Sequence, residues 1–133
     1  MKKFDNFCRA LQNLGEIFQY DEPYGNVILT GLVGLYEICF EQAWKAVKEV
    51  LLSQGYPEGV TGSPRQILKT AYQAGMLRDE GAWLAALNAR NNVTHAYNRD
   101  VALDIVRQTK STFYPMFTQL RDEIEGRWLE DRT

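Results

Sequence analysis

The stretch from Asn26 to Gln54 contains no proline and, wound as a helix, is apolar on more than one side. Leu32, Tyr36, Cys39, Ala43, Val47 and Val50 form one stripe at helical spacing. Ile28, Leu35, Ile38 and Trp44 add apolar surface beside it. An ordinary surface helix needs one covered face, whereas this one needs several. The segment is therefore either the central helix of a bundle or a face shared by two copies of the chain. Gly31 and Gly34 are costly inside a helix; they either allow close backbone approach or mark its true start. The apolar part from Val27 to Phe40 contains Glu37 and is too short to cross a bilayer, so no membrane role is expected.

The remaining segments supply the cover. Phe4, Phe7, Cys8, Leu11, Leu14 and Phe18 share one face of a first helix, about Lys3 to Phe18, which the polar run Gln19 to Gly25 ends. Residues 55–59 read as a loop. Ser63, Pro64 and Gln66 are a strong helix start: a capping hydroxyl, a proline suited to the first turn, and a glutamine able to close a capping box. That third helix ends near Gly75. Asp79 caps a fourth running to about Ala96. Asn98 or Asp100 caps a fifth carrying Val101, Ile105, Phe113, Phe117, Leu120 and Ile124, in which Pro115 predicts a kink or break. No strand alternation or repeat is visible. The expectation is a single domain over 1–133, an all-α up-and-down bundle of about five helices.

At 133 residues, 45% hydrophobic and 24% charged, the composition is that of a globular domain. It can bury about two thirds of its unfolded surface. The net charge of −2 gives no global field attractive to nucleic acid, so RNA binding would need a local site or one made by assembly. Cys8 and Cys39 sit in apolar contexts outside any C-x-x-C pair and read as buried thiols of a reducing compartment. The N-terminus lacks an apolar signal core. A cytoplasmic location follows as an expectation.

Chemistry concentrates in Arg90-Asn91-Asn92-Val93-Thr94-His95-Ala96-Tyr97. His95 is the sole histidine, and no matching Cys or His set accompanies it, so no metal is expected. No phosphate-loop, dinucleotide or nucleophile-elbow motif occurs, and no cofactor is expected. On an ideal helix, Trp83, Leu87, Arg90, Thr94 and Tyr97 form one stripe, which sets Arg90 in line with apolar residues and calls for an acidic partner. Glu37 and Glu41, one turn apart, are the candidates; a purely structural ion pair fits as well. Asn91, His95 and Asn98 lie on the adjacent stripe, where Asn91 can orient the imidazole, or all three can simply be a solvated helix end. Together these residues offer a phosphate-binding cation, an imidazole able to shuttle protons, an amide and a phenol. Arg90 and His95 stand about 140° apart on an ideal helix. They converge best if the helix distorts or ends between them, or if two copies share a cleft.

Arg90-x4-His95-x-Tyr97 resembles the R-x4-H-x-Y signature of the HEPN superfamily, and more narrowly the HepT-type toxins, also described as nucleotidyltransferase substrate-binding proteins. Leu35-Tyr36-Glu37, Ala43-Trp44-Lys45, Gly62-Ser63-Pro64-Arg65, Ala71 through Gly75, and Trp83-Leu84 ahead of Arg90-Asn91 follow that family's order. The likeness extends over about Phe4 to Leu120. The net acidity and Pro115 depart from it.

The resemblance implies a homodimeric bundle with the motif at the dimer cleft. It implies an endoribonuclease in which Arg90 and His95 act on the scissile phosphate, supported by Asn91, Glu37 and Glu41. It further implies an MNT-type nucleotidyltransferase partner acting as antitoxin by adding AMP to the motif tyrosine, Tyr97. Two rivals use the same residues: a non-catalytic substrate- or nucleotide-binding subunit of the nucleotidyltransferase, and a structural dimer in which the motif only holds helices together.

Overall fold

A computed structural model describes residues 1–57 and 61–129; residues 58–60, which include the end of the expected 55–59 loop, and residues 130–133 lie outside the described part. Among the described residues all regular structure is helical. In order it comprises α1 (Lys2–Leu14), a 3-10 turn (Gly15–Gln19), α2 (Asn26–Ser53), α3 (Pro64–Gln73), α4 (Glu80–Asn91), a 3-10 turn (Val93–His95), α5 (Arg99–Gln108), a π turn (Thr109–Phe113), α6 (Tyr114–Glu123) and a second π turn (Ile124–Trp128). The last four abut end to end, so the fold is an all-α bundle of five rods.

The helix starts follow their sequence signals. The Ser63 hydroxyl accepts from the Gln66 N–H while the Gln66 side chain accepts from the Ser63 N–H, a complete capping box. Asp79 accepts from the Ala82 N–H, and Asn98, not Asp100, caps α5. Gly75, at φ +86°, ends α3 in the left-handed region that a side chain disfavours.

α2 is the axle. It packs against α1, α3, α4 and α5, and Leu32, Tyr36, Cys39, Ala43, Val47 and Val50 are all buried. By length and composition α2 is apolar enough to cross a membrane; the sequence reading set that aside on the apolar run from Val27 to Phe40 alone. Its packing on four elements covers the Leu32–Val50 stripe and leaves Val27 and Ile38 exposed. It begins at Asn26, so Gly31 and Gly34 are interior residues. No atom lies within 4 Å of a Cβ built on either one, and no neighbour in this chain requires them to be glycine. The core around α2 is aromatic: Tyr36 stacks on Phe113 at 5.3 Å, and Phe117 meets Trp83 edge-on at 5.6 Å. Burial pushes the Tyr36 phenol far up, so it stays a donor, and it bonds the Ala86 carbonyl of α4.

Three local expectations change. The first α-helix ends at Leu14 and tightens into a 3-10 turn, which leaves Phe18 about half exposed, edge-on to Tyr114 at 5.1 Å, and not in the core stripe. Cys39 is buried but Cys8 only half so; neither is in a disulfide. Pro115 does not break its helix. The backbone stays right-handed helical at Gln108, Thr109, Phe113 and Tyr114, and the ladder widens to a π turn just before the proline. Pro115 then sits in the first turn of α6, where the missing N–H costs least.

Candidate functional site

Glu41 and Arg90 fix the centre of the site. Tyr36 holds Ala86 one turn before Arg90, and Glu41, farther along α2, holds Arg90 itself. The Arg90 Nε–H donates to Glu41 Oε1 at 2.6 Å, with both side chains 28% exposed. The other carboxylate oxygen accepts from Trp44 Nε1 at 3.1 Å, so Glu41 is restrained from two sides. Arg90 Nη1 donates to Asn91 Oδ1 at 3.2 Å, and the guanidinium lies 6.0 Å from the Phe40 ring centroid. The Nη2 group and the second Nη1 hydrogen have no partner among the described residues. They form one edge of a planar fork suited to an oxyanion.

Of the two acidic candidates, Glu41 takes the arginine. Glu37 is exposed and has no ion pair among the described residues. It lines a cleft of about 530 Å³ with Asn26, Thr30, Gly34, Val93 and Tyr97.

The motif's second half leaves the helix. α4 stops at Asn91, and Val93–His95 forms a 3-10 turn. The helix thus ends between Arg90 and His95. The ideal-helix stripes do not survive this. Thr94 and Tyr97 are not continuations of the Arg90 line, because α-helical phase is lost after Asn91. Asn91 does not orient the imidazole either; its carboxamide oxygen faces Arg90. Asn98 is occupied in capping α5. His95 is exposed, with its ring 6.4 Å from Tyr97 in edge-to-face orientation, and Tyr97 is 87% exposed. Among the described residues no group of His, Cys, Asp or Glu is placed to hold a metal. The sequence reading missed Trp44 as a contact of the site. Its signal was present, three residues after Glu41 on the same helix.

The chain belongs to the family described as "Nucleotidyltransferase substrate binding protein like", whose model matches residues 2–126. It is also similar to a crystal structure of a Thermus thermophilus protein, with 28% identity, TM-score 0.71, and 92% of this chain and 98% of the other covered. A Haemophilus influenzae protein, described as revealing the fold of a substrate binding domain of a nucleotidyltransferase, shares the fold at TM-score 0.78 and 18% identity, with the same coverage. No curated protein matches the chain.

Proposed function

We propose that this chain is a HepT-like toxin, a metal-independent endoribonuclease of the cytoplasm, paired with an MNT-type nucleotidyltransferase antitoxin. The observation that carries this reading is the Arg90 guanidinium, locked through Nε by Glu41 with its Nη2 edge free, on the helix that leads into the turn bearing an exposed imidazole. The 2′-oxygen of a ribose attacks the adjacent phosphorus while His95 takes the hydroxyl proton. The bond to the 5′-oxygen breaks, the leaving oxygen gains a proton, and a 2′,3′-cyclic phosphate remains. Arg90 balances charge on the phosphoryl oxygens. Asn91 holds the guanidinium in plane, and Glu41 aims it.

Tyr97 is the site for AMP. Its exposure suits attack on a nucleotide held by a second protein. The added phosphate brings a negative charge beside the cleft that contains Glu37 and repels an incoming RNA phosphate.

The active form is a homodimer joined along the outer face of α2. Val27, Gly31, Gly34 and Ile38 fall on one helical line. Val27 and Ile38 are 83% and 56% exposed, and both glycines are open to close approach. A stable monomer by sedimentation at micromolar concentration would remove this assembly.

The deciding experiment for the activity is incubation of the purified chain with RNA, with and without a chelator. Chelator-resistant cleavage that disappears in His95→Ala is expected. A second reading, a non-catalytic substrate-binding subunit, is favoured by the family's description. It predicts that RNA or nucleotide binds but emerges intact, and that expressing the chain alone leaves growth unchanged.

A further inference from the structure

Glu41 touches Arg90 with one oxygen and the Trp44 indole with the other, so the site continues along α2. Glu41, Trp44, Lys45, Lys48 and Leu52 lie within about 100° of the helix circumference. Trp44, Lys45, Lys48, Glu49 and Leu52, with Lys3 of α1, line a separate cleft of about 430 Å³. None of the three lysine ammonium groups has a hydrogen-bond or ion-pair partner among the described residues. The one carboxylate among them, Glu49, is turned to the start of α1. It accepts the backbone N–H of Lys3 at 3.1 and 3.2 Å and that of Phe4 at 3.2 Å. There the helix dipole offsets its charge. The chain carries net negative charge, yet this surface presents three free cations round an aromatic and aliphatic floor.

We propose that the Trp44, Lys45, Lys48 and Lys3 surface is a subsite for single-stranded RNA flanking the phosphate held by Arg90. The inference rests on the phosphate-binding reading of Arg90. Along α2, Lys45 lies about 6 Å and Lys48 about 10 Å from Glu41. A stacked strand advances about 3.4 Å per nucleotide. Phosphates two and three nucleotides from the reacting bond therefore come level with the two lysines. The indole offers a π-surface to an intervening base, the pairing that lets a protein grip single strands without reading sequence. The subsite also supplies the local positive field that the overall charge does not.

The test uses the full chain, a labelled single-stranded RNA of about 12 nucleotides, and a dinucleotide too short to reach the lysines. In Lys45→Gln/Lys48→Gln, binding of the long RNA should weaken about tenfold. Its log–log salt slope should shrink by about 1.4, for two phosphate contacts. The rise should appear in KM and not in kcat, and dinucleotide cleavage should stay at the wild-type rate. Long RNA should quench tryptophan fluorescence in wild type, and Trp44→Phe should abolish most of that quench. Unchanged affinity and salt slope in the double variant, with wild-type cleavage intact, would overturn the subsite and leave the nuclease standing. Lysine-dependent binding by a wild-type chain that cuts nothing would sustain the subsite and remove the nuclease. Loss of nucleotidyltransferase binding with RNA binding unaltered would reassign the surface to the protein partner and overturn the inference.

Discussion

The two halves of the R-x4-H-x-Y motif occupy opposite kinds of environment. Arg90 ends a helix pinned to α2 through Ala86 and Glu41, and its side chain is mostly covered. His95 and Tyr97 stand on a short turn, exposed, with their rings 6.4 Å apart. The first half is held by packing and charge; the second is accessible. Changes in the first half should therefore alter stability and chemistry together, and changes in the second should alter chemistry or regulation alone.

The largest separation is expected for His95→Ala. Cleavage should fall about 10²–10⁴-fold, while the thermal midpoint stays within a degree or so of wild type. A folded variant that cuts RNA normally would take His95 out of the mechanism and collapse the contrast. Next comes Arg90→Lys. An ammonium cannot satisfy Glu41 through Nε and still present a planar edge to phosphate. Activity should drop and stability should fall by about 1–2 kcal/mol, the scale of a charge-assisted hydrogen bond only partly shielded from water. Glu41→Gln should reproduce the stability loss, and denaturant melts of the two variants and their double mutant would show whether the effects overlap. Wild-type stability in both would mean that the ion pair contributes nothing.

Smaller effects come from Gly34→Ala. With no neighbour within 4 Å of its Cβ, the isolated chain should gain about 0.5–1 kcal/mol of helix stability. A shared α2 face should lose affinity instead, so sedimentation and melting together separate a free surface from an interface. Smallest in stability is Tyr97→Phe, expected to melt as wild type does. Intact mass after incubation with the nucleotidyltransferase and ATP should rise by one AMP in wild type and not in the variant. A gain that persists would move the modified site elsewhere, with Tyr36 and Tyr114 next to be examined; Tyr36 is fully buried.

The sequence disclosed the parts whose signals are local. The α2 stripe, the Ser63 and Gln66 capping box and the Asp79 cap all rest on spacing within one helix, and each is found where spacing placed it; spacing left the α5 cap open between Asn98 and Asp100. The choice of Glu41 over Glu37 depended on the rotation of α4 against α2, which no single-helix pattern encodes. The stop at Asn91 had a signal that periodicity overrode: two asparagines followed by β-branched Val93 and Thr94, residues that weaken a helix. The cleft beside Trp44 was invisible because Lys3 arrives there from another helix.

The wide turn at Thr109–Phe113 has its own consequence. Val101, Ile105, Thr109, Phe113 and Phe117 recur every four residues, a spacing that advances about 40° per step on a regular α-helix and would wind the row away from the core. The π turn works as a phase corrector, resetting the rod so that Phe117, Leu120 and Ile124 still face inward. Straightening it to an ordinary helix at unchanged residue number would turn all three by about 100°, and removing one residue as well would bring them back. For the C-terminal rod, the winding between Ile105 and Phe117 is thus as binding a constraint as residue identity.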